Sequence, residues 1–381
     1  MLRLPAVSLL VTIFFGANVC AQSRAAFPEP TGSLAVGRVQ FDWTDKSRPD
    51  SENLGGYREI VVWVWYPASP KTGAETAEQL PGKWGEVLWA EFKKRQPGET
   101  SGRVFSPIHT HSYPAVRVGS GHHRYPVLLF EPGNGINPLL YSNLIEDVVS
   151  HGYIVAGIVP TYYSGVSVFS DGRVAASLLA TAQPRDYFPV WVADMRFTLD
   201  QLEKLNQDGR GDFRHRLDLQ RVGAFGHSLG GAASLQAAKD DSRIKAAIDI
   251  DGGLQGDVAN IGLSKPFLVF RTDSPGEMNL DVLLRRGNSG YLLTLAGATH
   301  MFSSDLLLMP LVRNSMKDQM GHIDPVRALA ITKAYIAAFF GEYIESKKSS
   351  LLEGPSPAYP EVRFELELGD AADRHGEKPQ P

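Results

Sequence analysis

One cysteine, no cluster of basic residues and a single long apolar run set the first limits on this 381-residue chain. The cysteine, Cys20, lies beside that run near the start, so no disulfide is expected in the rest of the chain. A net charge of −4 without a Lys/Arg cluster argues against nucleic acid as a partner. No internal repeat or long low-complexity linker divides the sequence, which favours one large domain.

The apolar run has the features of a secretory signal. Arg3 precedes the apolar residues 4–16, and a small residue, Ala21, ends the segment. The run is too short for a comfortable membrane span, so cleavage after Ala21 is predicted, with a retained anchor or a lipid on Cys20 as the alternative. The predicted location is therefore secreted or periplasmic, and the exported chain would carry 37 basic and 42 acidic residues.

Around one serine, residues 221–234 read as an apolar strand, a turn with two glycines and a helix start of small residues. The pattern Gly226-x-Ser228-x-Gly230 in this setting is typical of a nucleophile elbow. A serine in such a strained turn leaves no room for a Cβ two residues before or after it. The sequence therefore predicts an exposed nucleophilic hydroxyl at the carboxyl edge of a sheet.

Strand and helix patterns alternate on both sides of this elbow, as in a doubly wound α/β sheet. The first two of eight predicted strands should pair antiparallel at the sheet edge; the eight are 27–43, 59–66, 126–131, 153–159, 222–225, 244–251, 266–271 and 291–296. Besides the helix that begins at the elbow, five helices are predicted at 82–95, 138–151, 187–206, 278–286 and 325–346. The economical fold is the α/β-hydrolase fold, with a mostly parallel eight-stranded sheet.

The predicted division of the chain follows from these elements. Residues 1–21 form the signal peptide, residues 22–350 the α/β-hydrolase domain, and residues 351–381 a surface-running tail, since this segment has three prolines by Pro360 and a charged end. An irregular excursion at 160–186 follows a strand on the ligand side of the sheet, which is the expected place for a cap or lid.

Serine needs a base, and in this fold the order is serine, acid, histidine. His300 follows the last predicted strand after a glycine-bearing turn, which is the expected place for the base. His322 is the alternative, whereas His227 adjoins the serine and should support the turn. Two carboxylates compete for the role of acid, because Asp251 and Asp273 each follow a predicted strand.

A glycine-rich turn, Pro132-Gly133-Asn134-Gly135, follows the strand at 126–131. A backbone donor for an oxyanion is expected at this turn, and we predict the N–H groups of Asn134 and Leu229 as the oxyanion hole. A plain turn between a strand and a helix is the alternative interpretation.

Aromatic residues near the ligand side could line a substrate pocket or pack beneath the excursion; those proposed for the pocket are Tyr162, Tyr163 and Phe302. Two histidine pairs, at 109/111 and 122/123, lack the helical spacing and neighbouring carboxylate of a metal site, so they are interpreted as loop histidines. No metal or organic cofactor is implied.

The sequence resembles the plasma-type platelet-activating factor acetylhydrolases and their bacterial relatives. The resemblance is carried by the Gly-His-Ser-x-Gly-Gly elbow, by the spacing of 23 residues from Ser228 to Asp251, and by Gly297-Ala-Thr-His300. It spans most of the chain after the signal. In that family the acid follows the strand after the elbow, which implies Asp251 rather than Asp273.

The resemblance also implies an activity: hydrolysis of short-chain acyl esters or phospholipid-derived esters, by a Ser-Asp-His triad and an acyl-enzyme. A phospholipid-like substrate would bring transient contact with a lipid surface. One departure from the family pattern weakens the case for a phospholipid substrate: relatives have His-Gly at the oxyanion turn, whereas this chain has Glu131-Pro132-Gly133.

A general secreted esterase, lipase or polyester hydrolase is the alternative. A non-catalytic binding protein would have lost a triad member, and no segment is long enough for the propeller or large cap of a peptidase. The sequence carries no signal of an oligomeric state.

Overall fold

The protein is described by a computed structural model that covers residues 27–50, 52, 55–95, 108–119, 124–178, 187–209, 211–273, 282–283, 289–309, 312 and 321–368. The predicted signal peptide and most of the predicted helix at 278–286 lie outside these residues. Within the described ranges, no helix is both long enough and apolar enough to cross a membrane.

The described strands form a ten-stranded sheet and a separate hairpin. Those of the sheet are β1 (Val36–Pro49), β2 (Tyr57–Pro67), β3 (Ser112–Pro114), β4 (Tyr125–Glu131), β5 (Ile154–Val159), β8 (Leu217–His227), β9 (Ile244–Ile250), β10 (Phe267–Thr272), β11 (Gly290–Leu295) and β12 (Val362–Leu368). Strands β6 (Val166–Val168) and β7 (Val174–Ala176) pair only with each other.

The spatial order of the sheet is β12-β11-β10-β9-β8-β4-β5-β2-β1-β3. The run from β5 to β11 is parallel throughout, whereas β2 and β12 pair antiparallel at its two sides. This arrangement confirms the predicted fold class. Apolar runs such as the fully buried β4 form the middle of the sheet because both faces of a parallel strand are covered.

Helices cover both faces of the sheet. The described α-helices are α1 (Lys83–Arg95), α2 (Ser142–Ser150), α3 (Phe188–Gln207), α4 (Leu229–Asp240), α5 (Val258–Ile261) and α6 (Pro325–Glu345). Helices α2 and α6 enclose one apolar core and α3, α4 and α5 the other. Helix α6 begins where Asp324 accepts a hydrogen bond from the Arg327 N–H and Pro325 occupies the first turn.

The predicted count of eight strands is wrong, because β3 and β12 were missed. Strand β3 has three residues and pairs only with the start of β1. Strand β12 lies in the segment from 351 that was expected to be a surface tail, yet it pairs with β11 along the edge of the sheet. Residues 362–368 are therefore part of the sheet and not of a surface-running tail. Short 3₁₀ turns lie at Pro138–Tyr141, Asp305–Leu308 and Ser350–Leu352.

The predicted excursion at 160–186 is partly regular. Its described part, to residue 178, contains the β6–β7 hairpin, whose Val166, Val168 and Phe169 are buried in one of the two cores. The hairpin is hydrogen-bonded to β1, since the Gln40 side chain donates to the Val168 carbonyl at 3.0 Å. The described part of the excursion is therefore packed onto the domain.

Candidate active site

Ser228 lies between β8 and α4 in a conformation that few residues other than glycine adopt. Its φ and ψ are 57° and −126°, and its backbone N–H donates to the Ile250 carbonyl at 2.8 Å. A Cβ at Gly226 would lie closer than 3.0 Å to Gly230, and one at Gly230 closer than 3.0 Å to the Glu131 carbonyl. The two glycines are thus required by close backbone contacts, as expected for an elbow.

Two other side chains meet this serine at the carboxyl edge of the sheet. His300 Nε2 lies 3.0 Å from Ser228 Oγ, and His300 Nδ1 lies 2.7 Å from Asp251 Oδ2. The His300 side chain is 52% exposed, whereas that of Asp251 is 6% exposed. The structure therefore brings together three residues that are 23 and 49 positions apart along the chain.

Asp251 follows β9 directly and has a positive φ of 50°. Its Oδ1 accepts the backbone N–H of Thr272 at 2.8 Å and the Thr272 hydroxyl at 3.1 Å. Burial alone would raise the pKa of this carboxyl, but the hydrogen bonds from His300 and Thr272 outweigh it and hold the pKa below its usual value. Asp251 is therefore an ionised acceptor.

Asp273, the alternative acid, faces elsewhere. Its carboxylate accepts the Gly297 backbone N–H and pairs with Arg363 from β12. It therefore braces the turn that leads to His300 without bonding the imidazole. The side chain bonded to His300 is that of Asp251, which was the choice that the family resemblance implied.

The contacts of His300 fix its tautomer. Because the ionised Asp251 can only accept, the proton lies on Nδ1. In the neutral imidazole Nε2 is then unprotonated and can accept the proton of the Ser228 hydroxyl. This is the arrangement in which an imidazole can act as a general base.

The turn after β4 presents backbone N–H groups beside the elbow. Gly133 N–H donates to the Tyr141 hydroxyl at 3.2 Å and Gly135 N–H to the Tyr163 carbonyl at 2.7 Å. Within the described part of the chain, neither the N–H of Asn134 between them nor that of Leu229 has an acceptor. Leu229 opens α4, whose positive end favours negative charge at this point.

Comparisons with known proteins find several ester hydrolases that are similar to this chain. A family model described as "PETase: PET hydrolase-like" matches residues 146–274, which include Ser228 and Asp251. A protein of Arthroderma benhamiae named "probable 1-alkyl-2-acetylglycerophosphocholine esterase" is 27% identical, over 91% of this chain and 96% of its own length. The platelet-activating factor acetylhydrolase of Canis lupus familiaris is 26% identical, over 60% of this chain and 55% of its own.

The solved structure of a ferulic acid esterase from Streptomyces cinnamoneus superposes with a TM-score of 0.78 at 26% identity, over 90% of this chain and all of the other. The chain is a serine ester hydrolase that is similar in sequence to platelet-activating factor acetylhydrolases. The resemblance drawn from the sequence is thereby confirmed, as is the activity class of a carboxylic-ester hydrolase.

The side chain of Glu131, at the turn where the family resemblance implies His-Gly, is completely buried. Neither carboxyl oxygen has a hydrogen-bond partner in the described residues. Burial raises the pKa of Glu131 well above its usual value, and the nearby charge of Asp194 adds to this while that of Arg58 opposes it. The Glu131 carbonyl packs against Gly230, so the backbone of this turn lies directly beside the elbow.

The other described histidines form no hydrogen bond with the Ser228 hydroxyl. His322, the alternative base, is exposed, and its backbone N–H donates to the Gly297 carbonyl. His109 Nδ1 lies 3.2 Å from the Thr76 carbonyl and His111 Nε2 lies 2.9 Å from the Phe27 carbonyl. The pair at 122/123 is outside the described residues, within which no group of three His, Cys, Asp or Glu side chains could hold a metal ion.

Two of the three aromatic residues proposed for the pocket are packing residues. Phe302 is 1% exposed and contacts Phe270 edge to face, with ring centroids 5.6 Å apart. Tyr163 is 3% exposed and stacks on Tyr187 at 4.6 Å. Only Tyr162 is half-buried, with a positive φ of 74°. The pocket prediction is wrong for Phe302 and Tyr163, because both side chains turn into the apolar layers.

Several residues of the site escaped the sequence reasoning. Thr272 holds Asp251, and the Tyr187 hydroxyl accepts the Asn134 side-chain amide at 2.8 Å. Asp249 is buried below the elbow, where it accepts the Gly252 N–H at 2.8 Å, and burial raises its pKa well above the usual value. Of these, only Thr272 had a sequence signal, since it ends the strand next to that of Asp251.

Proposed function

We propose that Ser228, His300 and Asp251 form the catalytic triad of this esterase, with the N–H groups of Asn134 and Leu229 as the oxyanion hole. The observation that carries the proposal is the continuous contact from Asp251 to His300 at 2.7 Å and from His300 to Ser228 at 3.0 Å, at a serine with positive φ. Such a set of contacts has the geometry of nucleophilic acyl transfer.

The reaction has two halves. Ser228 Oγ attacks the ester carbonyl while His300 Nε2 takes its proton, and the two backbone N–H groups receive the negative oxygen. The ester C–O bond then breaks and the proton passes from Nε2 to the departing alcohol. In the second half, water attacks the acyl-serine, His300 accepts a proton from water, and the acid leaves as that proton returns to Oγ. Asp251 keeps the imidazole in the required tautomer throughout.

The proposed substrates are short-chain acyl esters or phospholipid-derived esters, as the relative named a 1-alkyl-2-acetylglycerophosphocholine esterase suggests. A lipid substrate of this kind would bring the enzyme to a lipid surface. A second candidate is an ester of an aromatic acid. It is favoured by the PET hydrolase-like match, by the ferulic acid esterase structure, and by the bis(hydroxyethyl) terephthalate hydrolase of Streptomyces coelicolor. That hydrolase is 36% identical, over 23% of this chain and 32% of its own length.

The proposal is tested with Ser228→Ala and a p-nitrophenyl ester series of increasing chain length. The variant should lose on the order of 10³- to 10⁶-fold in kcat. Full activity of a clean Ser228→Ala preparation would refute the triad. A preference of the unmodified enzyme for acetate and butyrate, and for a 2-acetyl phospholipid over a terephthalate or ferulate ester, would support the first substrate class, and the reverse order the second.

We also propose that residues 1–21 direct export and are removed. The N-terminal sequence of the protein from a culture that secretes it should begin at Gln22. A mature chain that retains residues 1–21 would contradict this part of the proposal.

A further inference from the structure

His227, the residue before the nucleophile, points away from Ser228 into the protein and is 1% exposed. Its ring makes two hydrogen bonds. Nε2 lies 2.6 Å from the backbone carbonyl of His300, and Nδ1 lies 2.7 Å from the hydroxyl of Tyr141. The two rings of His227 and His300 are also in contact, with centroids 4.6 Å apart. A buried imidazole thus touches the loop that carries the proposed base.

The direction of each hydrogen bond follows from its partners. The His300 carbonyl can only accept, so Nε2 of His227 carries the proton. Nδ1 is then an acceptor, and the Tyr141 hydroxyl donates to it. The Tyr141 oxygen is left to accept the Gly133 N–H at 3.2 Å. The three bonds form one directed chain: Gly133 N–H to Tyr141, Tyr141 O–H to His227, and His227 N–H to the His300 carbonyl.

The chain of hydrogen bonds requires a neutral His227, because a proton on Nδ1 would prevent that nitrogen from accepting the Tyr141 hydroxyl. Burial lowers the pKa of His227 to about 3, and the neighbouring His300 adds to this, so the ring remains neutral at ordinary pH. The room for this ring is also specific. A Cβ at Gly133 would lie 2.8 Å from His227 Nδ1, so a glycine is needed there for the ring to fit.

We propose that His227 is a positioning residue that, together with the Tyr141 hydroxyl, sets the distance between the oxyanion turn and the base. One end of the chain is Gly133, next to the proposed donor Asn134, and the other is the backbone of His300. The inference rests on the proposed function, because it assigns His227 a role through those two groups. In the described residues neither His227 nor Tyr141 forms a hydrogen bond with Ser228 Oγ or with the ring nitrogens of His300.

Loss of this chain of hydrogen bonds should reduce kcat more than it raises KM. The chain positions groups that interact with the developing oxyanion and the transferred proton, and these interactions are strongest in the transition state. His227→Leu should lower kcat by roughly 10- to 100-fold, with KM within about threefold. The loss should be smaller than the 10²- to 10³-fold cost of deleting an oxyanion donor, because the donors are displaced and not removed.

Conservative variants separate positioning from packing. A glutamine amide can take the place of Nε2, so His227→Gln should keep the donation to His300 and recover a large part of the lost kcat. Tyr141→Phe removes one oxygen and should lower kcat by roughly 5- to 30-fold, since it breaks two hydrogen bonds of the chain. Tyr141→Phe added to His227→Leu should cost little more than His227→Leu alone, because both changes break the same chain.

The matched control is Tyr153→Phe, which deletes another buried tyrosine hydroxyl, bonded to Glu345 at 2.9 Å. Its kcat should be unchanged. The inference is overturned if Tyr141→Phe keeps kcat within twofold, if His227→Gln is no better than His227→Leu, or if KM alone changes. If His227→Leu does not fold, Tyr141→Phe alone decides.

Fluorophosphonate labelling of the unmodified enzyme separates this result from the proposed function. Labelling of Ser228 at normal speed alongside an insensitive Tyr141→Phe would refute the positioning role only. Absence of labelling at Ser228 would refute the triad and the positioning role together.

Discussion

Replacing Asp251 by asparagine should inactivate the enzyme through the tautomer of His300. The backbone N–H of Thr272, 2.8 Å from Oδ1, can only donate, so the amide oxygen of the introduced asparagine must face it. The amide nitrogen then faces His300 Nδ1, where the carboxylate oxygen was at 2.7 Å. The imidazole must accept there and carry its proton on Nε2, which leaves no base toward Ser228.

The expected loss is about 10⁴-fold in kcat for an asparagine that enforces the wrong tautomer. That factor corresponds to about 5 kcal/mol of transition-state stabilisation. The rate of fluorophosphonate labelling should fall by a similar factor, because labelling also requires an activated serine. Stopped assays with p-nitrophenyl acetate and intact-mass measurement of the label give the two numbers.

Asp273→Asn is the matched control, since it is the same change at the other candidate acid. Its oxygen can still accept the Gly297 N–H, and the lost pair with Arg363 is exposed and worth about 0–1 kcal/mol. Its kcat should stay within about fivefold. A 10⁴-fold loss in Asp273→Asn with near-normal Asp251→Asn would show that Asp273, and not Asp251, orients His300.

Three further outcomes follow from the structure. Gly230→Ala places a Cβ against two backbone carbonyls, and this overpacking should cost about 1–3 kcal/mol of folding free energy. Both the melting temperature and the activity should therefore fall. Gly253→Ala, where the space around the Cβ is open, should change neither. Glu131→Gln should become more stable than the unmodified enzyme as pH rises above about 4.5, because Glu131 ionises there in the unfolded state while the buried carboxyl stays protonated. A difference in melting temperature between the two proteins that does not change from pH 4 to pH 8 would contradict this. Tyr187→Phe frees the Asn134 side chain, and kcat should fall about tenfold or less, as one neutral hydrogen bond is lost; a 10³-fold fall would show a larger role for Tyr187.

The parallel core of the fold was predictable because its signals are local. The apolar run of β4 and the Gly-x-Ser-x-Gly turn each fix a strand and its exit by composition alone. The strand β12 has alternating apolar residues, but the prolines before it and the charged residues after it suggested a tail. The strand β3 is too short for any periodicity and exists only through its pairing with β1.

The residue types of the site could be predicted, but the contacts between them could be predicted less well. Asp251 and Asp273 follow neighbouring strands, so the sequence could not separate them without the family resemblance. The structure separates them because Asp273 turns toward Gly297. Phe302 follows His300 by two residues, and nothing local shows that its ring turns into the core. The bond from Tyr141 to His227 joins residues 86 positions apart and had no sequence signal.

The assignment of Ser228 as the nucleophile is tested by mapping a fluorophosphonate adduct on the chain by peptide mass spectrometry. We predict one adduct, on Ser228, formed rapidly by the unmodified enzyme and at least about 10³-fold more slowly by His300→Ala. An adduct on another serine, or equal labelling of the His300→Ala variant, would contradict the claim that Ser228 is a nucleophile activated by His300.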